Sequence, residues 1–165
     1  MEAPAVRTLP TQSLDPKAIR LWRISGLIWG MLPLAVLAAV GGFLLYRLAG
    51  WPPYLAMLPL VAALLLAIPL VIIIPAASYR NWRWDISDDE VDTMSGLFTV
   101  TRRLVPMARI QHVDTTRDVF ERSMQLATVV IYTAAGSSAI PALPVRRAEA
   151  IRDQIAALAN TYEDV

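Results

Sequence analysis

Two long stretches without a charged residue decide most of what this chain can become. "ISGLIWGMLPLAVLAAVGGFLLY" (residues 24–46) runs uncharged for 23 residues between Arg23 and Arg47, and "YLAMLPLVAALLLAIPLVIIIPAA" (residues 54–77) runs uncharged for 24. About 20 apolar residues wound as a helix cross the hydrocarbon core of a bilayer, so each run is long enough to span once. A soluble helix of that length keeps a polar face toward water, and neither run has one. A buried hairpin in a soluble protein is therefore the weaker reading. A cleaved leader is disfavoured too, because its apolar region would be about 7–15 residues and would stand closer to the start of the chain.

The link "RLAGWPP" (47–53) is short, so the two spans form a hairpin with both ends of the chain on one side. Arg7, Lys17, Arg20 and Arg23 flank the first span, Arg80, Arg83, Arg102 and Arg103 follow the second, and the link offers only Arg47. The excess of cations outside the link places both termini in the cytoplasm. The expected location is the cytoplasmic (inner) membrane of a bacterium, crossed twice. Arginine outnumbers lysine fourteen to one, which we read as codon bias of a GC-rich genome.

Within the spans, Gly26 and Gly30 form one GxxxG, a spacing that lets two helices approach closely and that also arises by chance in Gly/Ala-rich helices. Pro33, Pro59, Pro69 and Pro75 interrupt the helical pattern, but no ionisable residue lies inside either span to make a transport path. Residues 1–14 are rich in Pro, Thr and Ala and are expected to be a disordered tail. "LDPKAIRLWR" then reads as a helix start, with Asp15 at the N-cap and Pro16 first in the helix. Residues 15–79 thus make a juxtamembrane helix plus hairpin.

After Arg80 the period of the apolar residues changes from helical to two. "NWRWDIS" puts Trp82, Trp84 and Ile86 on one strand face, and that shared face favours core packing over a place in the interfacial aromatic belt. "SDDE" (87–90) is a turn, "VDTM" a strand, and Ser95-Gly96 a tight turn into "LFTVTRRLV". "RIQHVDTT" and "TVVIYT" (128–133) are further strands. "AIPAL" (139–143) is a short last one, with Gly136-Ser137-Ser138 as the turn before it. "VRRAEAIRDQIAALANTY" closes the chain as a helix, its stripe of Ala148, Ile151, Ile155, Leu158 and Tyr162 needing a partner surface. The expected class is α+β: a transmembrane hairpin, then an antiparallel β sandwich or barrel over residues 80–160 capped by the terminal helix, with 161–165 as tail.

"YRNWRWDISDDEV", "SGLFTVTRRLVPMARIQHVDTTRDVFERSMQLATVVIYTAAG" and "IPAL" before the last helix resemble the bacterial pleckstrin-homology-like (PH-like) domain of membrane proteins of the YdbS-like family. The hairpin and "LDPKAIRLWRISGLI" fit the same family, so the resemblance covers nearly the whole chain. It implies a seven-strand PH superfold. It implies no catalytic or ligand residue.

The chemistry-bearing residues are few. Cysteine is absent, which excludes disulfides, thiolate metal sites and cysteine nucleophiles. His112 is the only histidine, and Asp114 shares its strand face at i+2. With no second histidine, no G-x-S-x-G and no carboxylate set, the pair reads as structural, as a hydrogen bond fixing the loop toward Asp118. No catalytic residue, metal or cofactor is expected. A net charge of +1 without a basic stripe gives no reason to expect nucleic acid. Eukaryotic PH domains often bind phosphoinositides at the first hairpin, but Asp85, Asp88, Asp89, Glu90 and Asp92 crowd that hairpin here and would repel a phosphate. Arg80, Arg83, Arg102 and Arg103 remain as candidates for contact with a lipid surface, each gaining about 1 kcal/mol near an anionic leaflet. The expected function is a membrane-anchored, non-enzymatic scaffold or adaptor docking a protein partner, a larger membrane complex or a second copy of itself. An anionic-lipid-sensing module is the alternative.

Overall fold

The computed structural model describes residues 9–163, with side chains as far as Thr161. Arg7, residues 1–8 of the expected tail, the Tyr162 side chain and residues 164–165 lie outside it. The described chain divides into two compact units, residues 16–80, and residues 81–163 together with 9–15.

The first unit is helical. Helix α1 covers Lys17–Leu48 and helix α2 covers Pro53–Asn81, each long and apolar enough to cross a membrane. Pro16 has helical dihedrals (φ −55°, ψ −24°) but stands at the N-cap in place of the expected Asp15, so α1 begins one residue later than the Asp-Pro pair predicts, at Lys17. The large apolar side chains of the hairpin point outward: Leu37, Phe43, Leu65 and Leu66 are all exposed. A helix of a soluble core would bury them.

Pro33 and Pro75 widen the helices rather than break them, whereas a turn at Met57 interrupts α2 two residues before Pro59. Gly26–Met31 and Pro69–Ile73 are π-helical, and each stretch ends two residues before a proline, Pro33 and Pro75. A proline inside a helix lacks the N–H that would bond four residues back, and its ring presses on that carbonyl. Closing the turn one residue wider, as Leu32 N–H to Leu27 O and Ile74 N–H to Pro69 O do, re-phases the ladder ahead of the proline.

The second unit carries the strands, and its β1 (Arg83–Ile86), β2 (Glu90–Ser95) and β3 (Thr101–Pro106) form one antiparallel sheet in that order. A short 3-10 turn, Met107–Arg109, carries the chain to a second sheet of β4 (Ile110–Thr116), β5 (Leu126–Thr133) and β6 (Gly136–Pro144). Helix α3 (Val119–Met124) lies between β4 and β5, and helix α4 (Val145–Glu163) ends the chain. Trp84, Val91, Val105, Met107, Leu126, Val129, Ile131, Ile140 and Leu143 are buried as the core. Ala148, Ile151, Ile155 and Ala159 of α4 are buried as well, and the helix packs over β4, β5, β6 and the 3-10 turn.

Several expectations change. The resemblance implies seven strands, whereas the described residues hold six. In place of a seventh, Gln12 makes a two-hydrogen-bond bridge to Trp84 on the outer edge of β1. Residues 9–14 of the expected disordered tail are therefore placed, with Leu14 buried, because an unpaired strand edge offers their backbone a partner. Strand β3 starts at Thr101 rather than Leu97: Gly96 adopts φ +140° and a Cβ there would collide with the Thr99 carbonyl, so residues 96–99 fold back as a loop. The last hairpin turns at Ala134-Ala135, and Gly136–Ser138 already belong to β6. Helix α4 runs into the expected 161–165 tail as far as Glu163. Its buried stripe takes Ala159, while Leu158 is half-buried.

Candidate functional site

The first hairpin carries the crowd of carboxylates, and register brings two of them together. Asp85 of β1 stands directly opposite Asp92 of β2. Like charges across a ladder destabilise it, and each carboxylate is answered separately. Arg102, a diagonal neighbour on β3, donates to Asp92 through Nε (3.1 and 2.9 Å to the two oxygens) and Nη2 (2.6 Å). Burial pushes the Asp85 carboxyl up, but the Ile86 N–H (3.0 Å), the Thr11 hydroxyl (3.0 Å) and the Gln12 amide (3.4 Å) donate to it and hold it below its ordinary value.

Arg102 is therefore one partner of a largely shielded ion pair, and its hydrogen bonds to Asp92 raise its pKa against the effect of burial. Arg103 alternates to the other face of β3 and donates from Nη1 to the Ser137 carbonyl of β6 at 3.0 Å. The four arginine candidates are thus not one cluster. Arg83 donates to the carbonyl of its neighbour Trp82, which leaves its charge uncompensated by that bond. Arg80 is exposed near the end of α2.

The Arg103–Ser137 contact crosses a seam. Strand β3 is the last of one sheet and β6 the last of the other, and no main-chain ladder joins them among the described residues. Between these edges lies a groove of about 350 Å³, lined by Arg103–Pro106, Arg109, Thr133 and Ala135–Ser138. Arg109, one of the lining residues, is exposed. The sequence pattern identifies the strands but not which edges stay unpaired, so this groove was not legible from it.

His112 lies directly opposite Tyr132, and the rings stack at 4.3 Å with 16° between their planes. Its Nε2 is 3.9 Å from Asp114 Oδ2, too long for a hydrogen bond, and both side chains are more than half exposed. The expected hydrogen bond toward Asp118 is thus replaced by ring stacking. Asp118 is fixed by a capping box instead: it accepts from the Glu121 N–H at 2.6 Å while Glu121 accepts from the Asp118 N–H at 3.0 Å. The other oxygen of the buried Glu121 takes the Thr128 hydroxyl at 2.6 Å, tying α3 to β5. The Asp-x-x-Glu spacing at 118–121 could have revealed this. Trp84 is core, under the Arg147 guanidinium at 5.2 Å, whereas Trp82 is only half-buried.

Comparison with known proteins fits these features. No solved structure matches the chain. The UPF0699 transmembrane protein YdbS of Bacillus subtilis (strain 168) is 36% identical over 159 residues, covering 96% of this chain and 99% of that protein. The profile of the bacterial PH domain matches residues 24–159, so it takes in the apolar hairpin as well as the two sheets. This chain belongs to the bacterial PH domain family, as a YdbS-like transmembrane member.

Proposed function

We propose that the protein is a non-enzymatic scaffold of the bacterial cytoplasmic membrane whose PH-like domain, on the cytoplasmic side, docks an extended segment of a protein partner. One observation carries this reading: the open seam between the β3 and β6 edges, in a domain tethered to two membrane helices. A strand edge offers main-chain hydrogen bonds to an added strand, and flanking side chains select its sequence. Arg103 and Arg109 in the groove favour a segment bearing carboxylates. His112 and Asp114 sit on an open strand face rather than in a cleft, which supports a role in packing over one in proton transfer.

A photoreactive amino acid at exposed Ala135 or Pro106 in intact membranes tests this directly. A dominant protein adduct that disappears on Arg103→Glu supports docking at the seam. Adducts only to lipid would favour the alternative, a module sensing an anionic leaflet. The charge of Arg80 and Arg83 supports that alternative, while the engagement of Arg102 by Asp92 weakens it.

A further inference from the structure

The most exposed large apolar side chain among the described residues is not in the hairpin. It is Phe98, 96% exposed in the loop between β2 and β3, with Val100 exposed two residues later. An aromatic side chain held in water gives up the burial that would stabilise it, so what covers it is a question of function. The loop has a defined shape: Gly96 at φ +140° brings the chain back over Thr99, and the Asn81 side-chain amide donates to the Gly96 carbonyl at 3.0 Å.

That last contact fixes where the loop stands along the chain. Asn81 is the final residue of α2, four residues beyond Ala77, where the apolar run of the second span ends. Four helical residues rise about 6 Å. The headgroup layer on each side of a bilayer is about 5–8 Å thick. Gly96 is thus tied to a residue about one headgroup layer beyond the hydrocarbon, and Phe98 lies two residues, at most about 7 Å of chain, further on. From Thr93 to Val113 there is no carboxylate to repel an anionic surface, and none from Tyr54 to Trp84. Arg80, which is exposed, and Arg83, whose guanidinium donates to the Trp82 carbonyl, bracket the tether with positive charge.

We infer that the β2–β3 loop is a membrane-contacting finger: Phe98 and Val100 enter the acyl–headgroup boundary of the leaflet from which α2 emerges. Arg80 and Arg83 meet its lipid phosphates. The occupant of this apolar tip is the bilayer in which the chain is already anchored. This rests on the two-span architecture and not on the seam, so either reading can fail alone.

Because the chain has no cysteine, a single Phe98→Cys substitution can carry an environment-sensitive fluorophore, with Gln154→Cys on exposed α4 as the control. The full chain is placed in nanodiscs of phosphatidylcholine with phosphatidylglycerol. The expected result at position 98 is a blue-shifted emission, quenching by nitroxide-bearing lipids and loss of quenching by iodide, none of which occurs at 154. Iodide quenching at 98 equal to that at 154, with no quenching by the lipids, overturns the inference. A blue shift without lipid quenching overturns it as well, because another protein surface then covers the tip. Phe98 makes no buried contact, so its replacement leaves folding intact.

Discussion

Asp85 and Asp92 face each other across the first hairpin of the domain, and Arg102 on the third strand holds Asp92 through three short hydrogen-bond contacts. This arrangement converts an arginine that sequence alone offers to lipid into an internal counter-charge. Arg102→Ala is expected to lower the melting temperature of the full chain in nanodiscs, because it leaves Asp92, only 8% exposed, without its cation. Asp92→Asn in the same chain should recover part of the loss. A melting temperature unchanged by Arg102→Ala would show the pair to be without structural weight.

Asp85 gives a pH dependence whose sign follows from its hydrogen bonds. Its folded pKa lies below the ordinary 3.8, so the unfolded chain takes up its proton first as pH falls. Its contribution to stability is present above about 3.8 and is lost as pH drops through the lower, folded value. Melting curves between neutral and strongly acidic pH should show this loss, and Asp85→Asn or Thr11→Ala should flatten it.

Gln125 ends α3 in the left-handed region (φ +58°) and is exposed. Glycine adopts that conformation without the steric cost of a Cβ. Gln125→Gly is expected to stabilise the domain by about 1 kcal/mol in chemical denaturation, and a loss of stability would contradict the assigned cap.

In the hairpin, a Cβ on Gly42 would strike the Ala56 carbonyl, whereas one on Gly30 meets nothing. Gly42→Leu should therefore reduce the yield of folded protein in detergent, while Gly30→Leu leaves it unchanged. If Gly30→Leu instead weakens self-association in membranes, the GxxxG pair serves contact between copies.

His112→Ala should cost about 1 kcal/mol through the lost ring stack on Tyr132, and His112→Phe should restore it. A structural role requires that rescue. A cellular defect shared by both variants at unchanged stability would point to the imidazole itself.

The division of labour between sequence and fold follows from these residues. Runs of 23 and 24 uncharged residues set the two helices by composition, since the cost of a charge in hydrocarbon is local and additive along the chain. Period-two alternation around Trp84 and Ile131, and the stripe of Ala148, Ile151 and Ile155 on α4, likewise set which faces are buried. Pairing across strands is a different matter, because it depends on register and on edges that no short-range pattern encodes. Only the tertiary structure opposed Asp85 to Asp92, set Arg102 apart from Arg103, and drew Gln12 onto the edge of β1. It also left the β3–β6 seam open and tied Gly96 to Asn81. Hydrophobic burial is read residue by residue, whereas neighbours distant in sequence exist only once the chain has closed on itself.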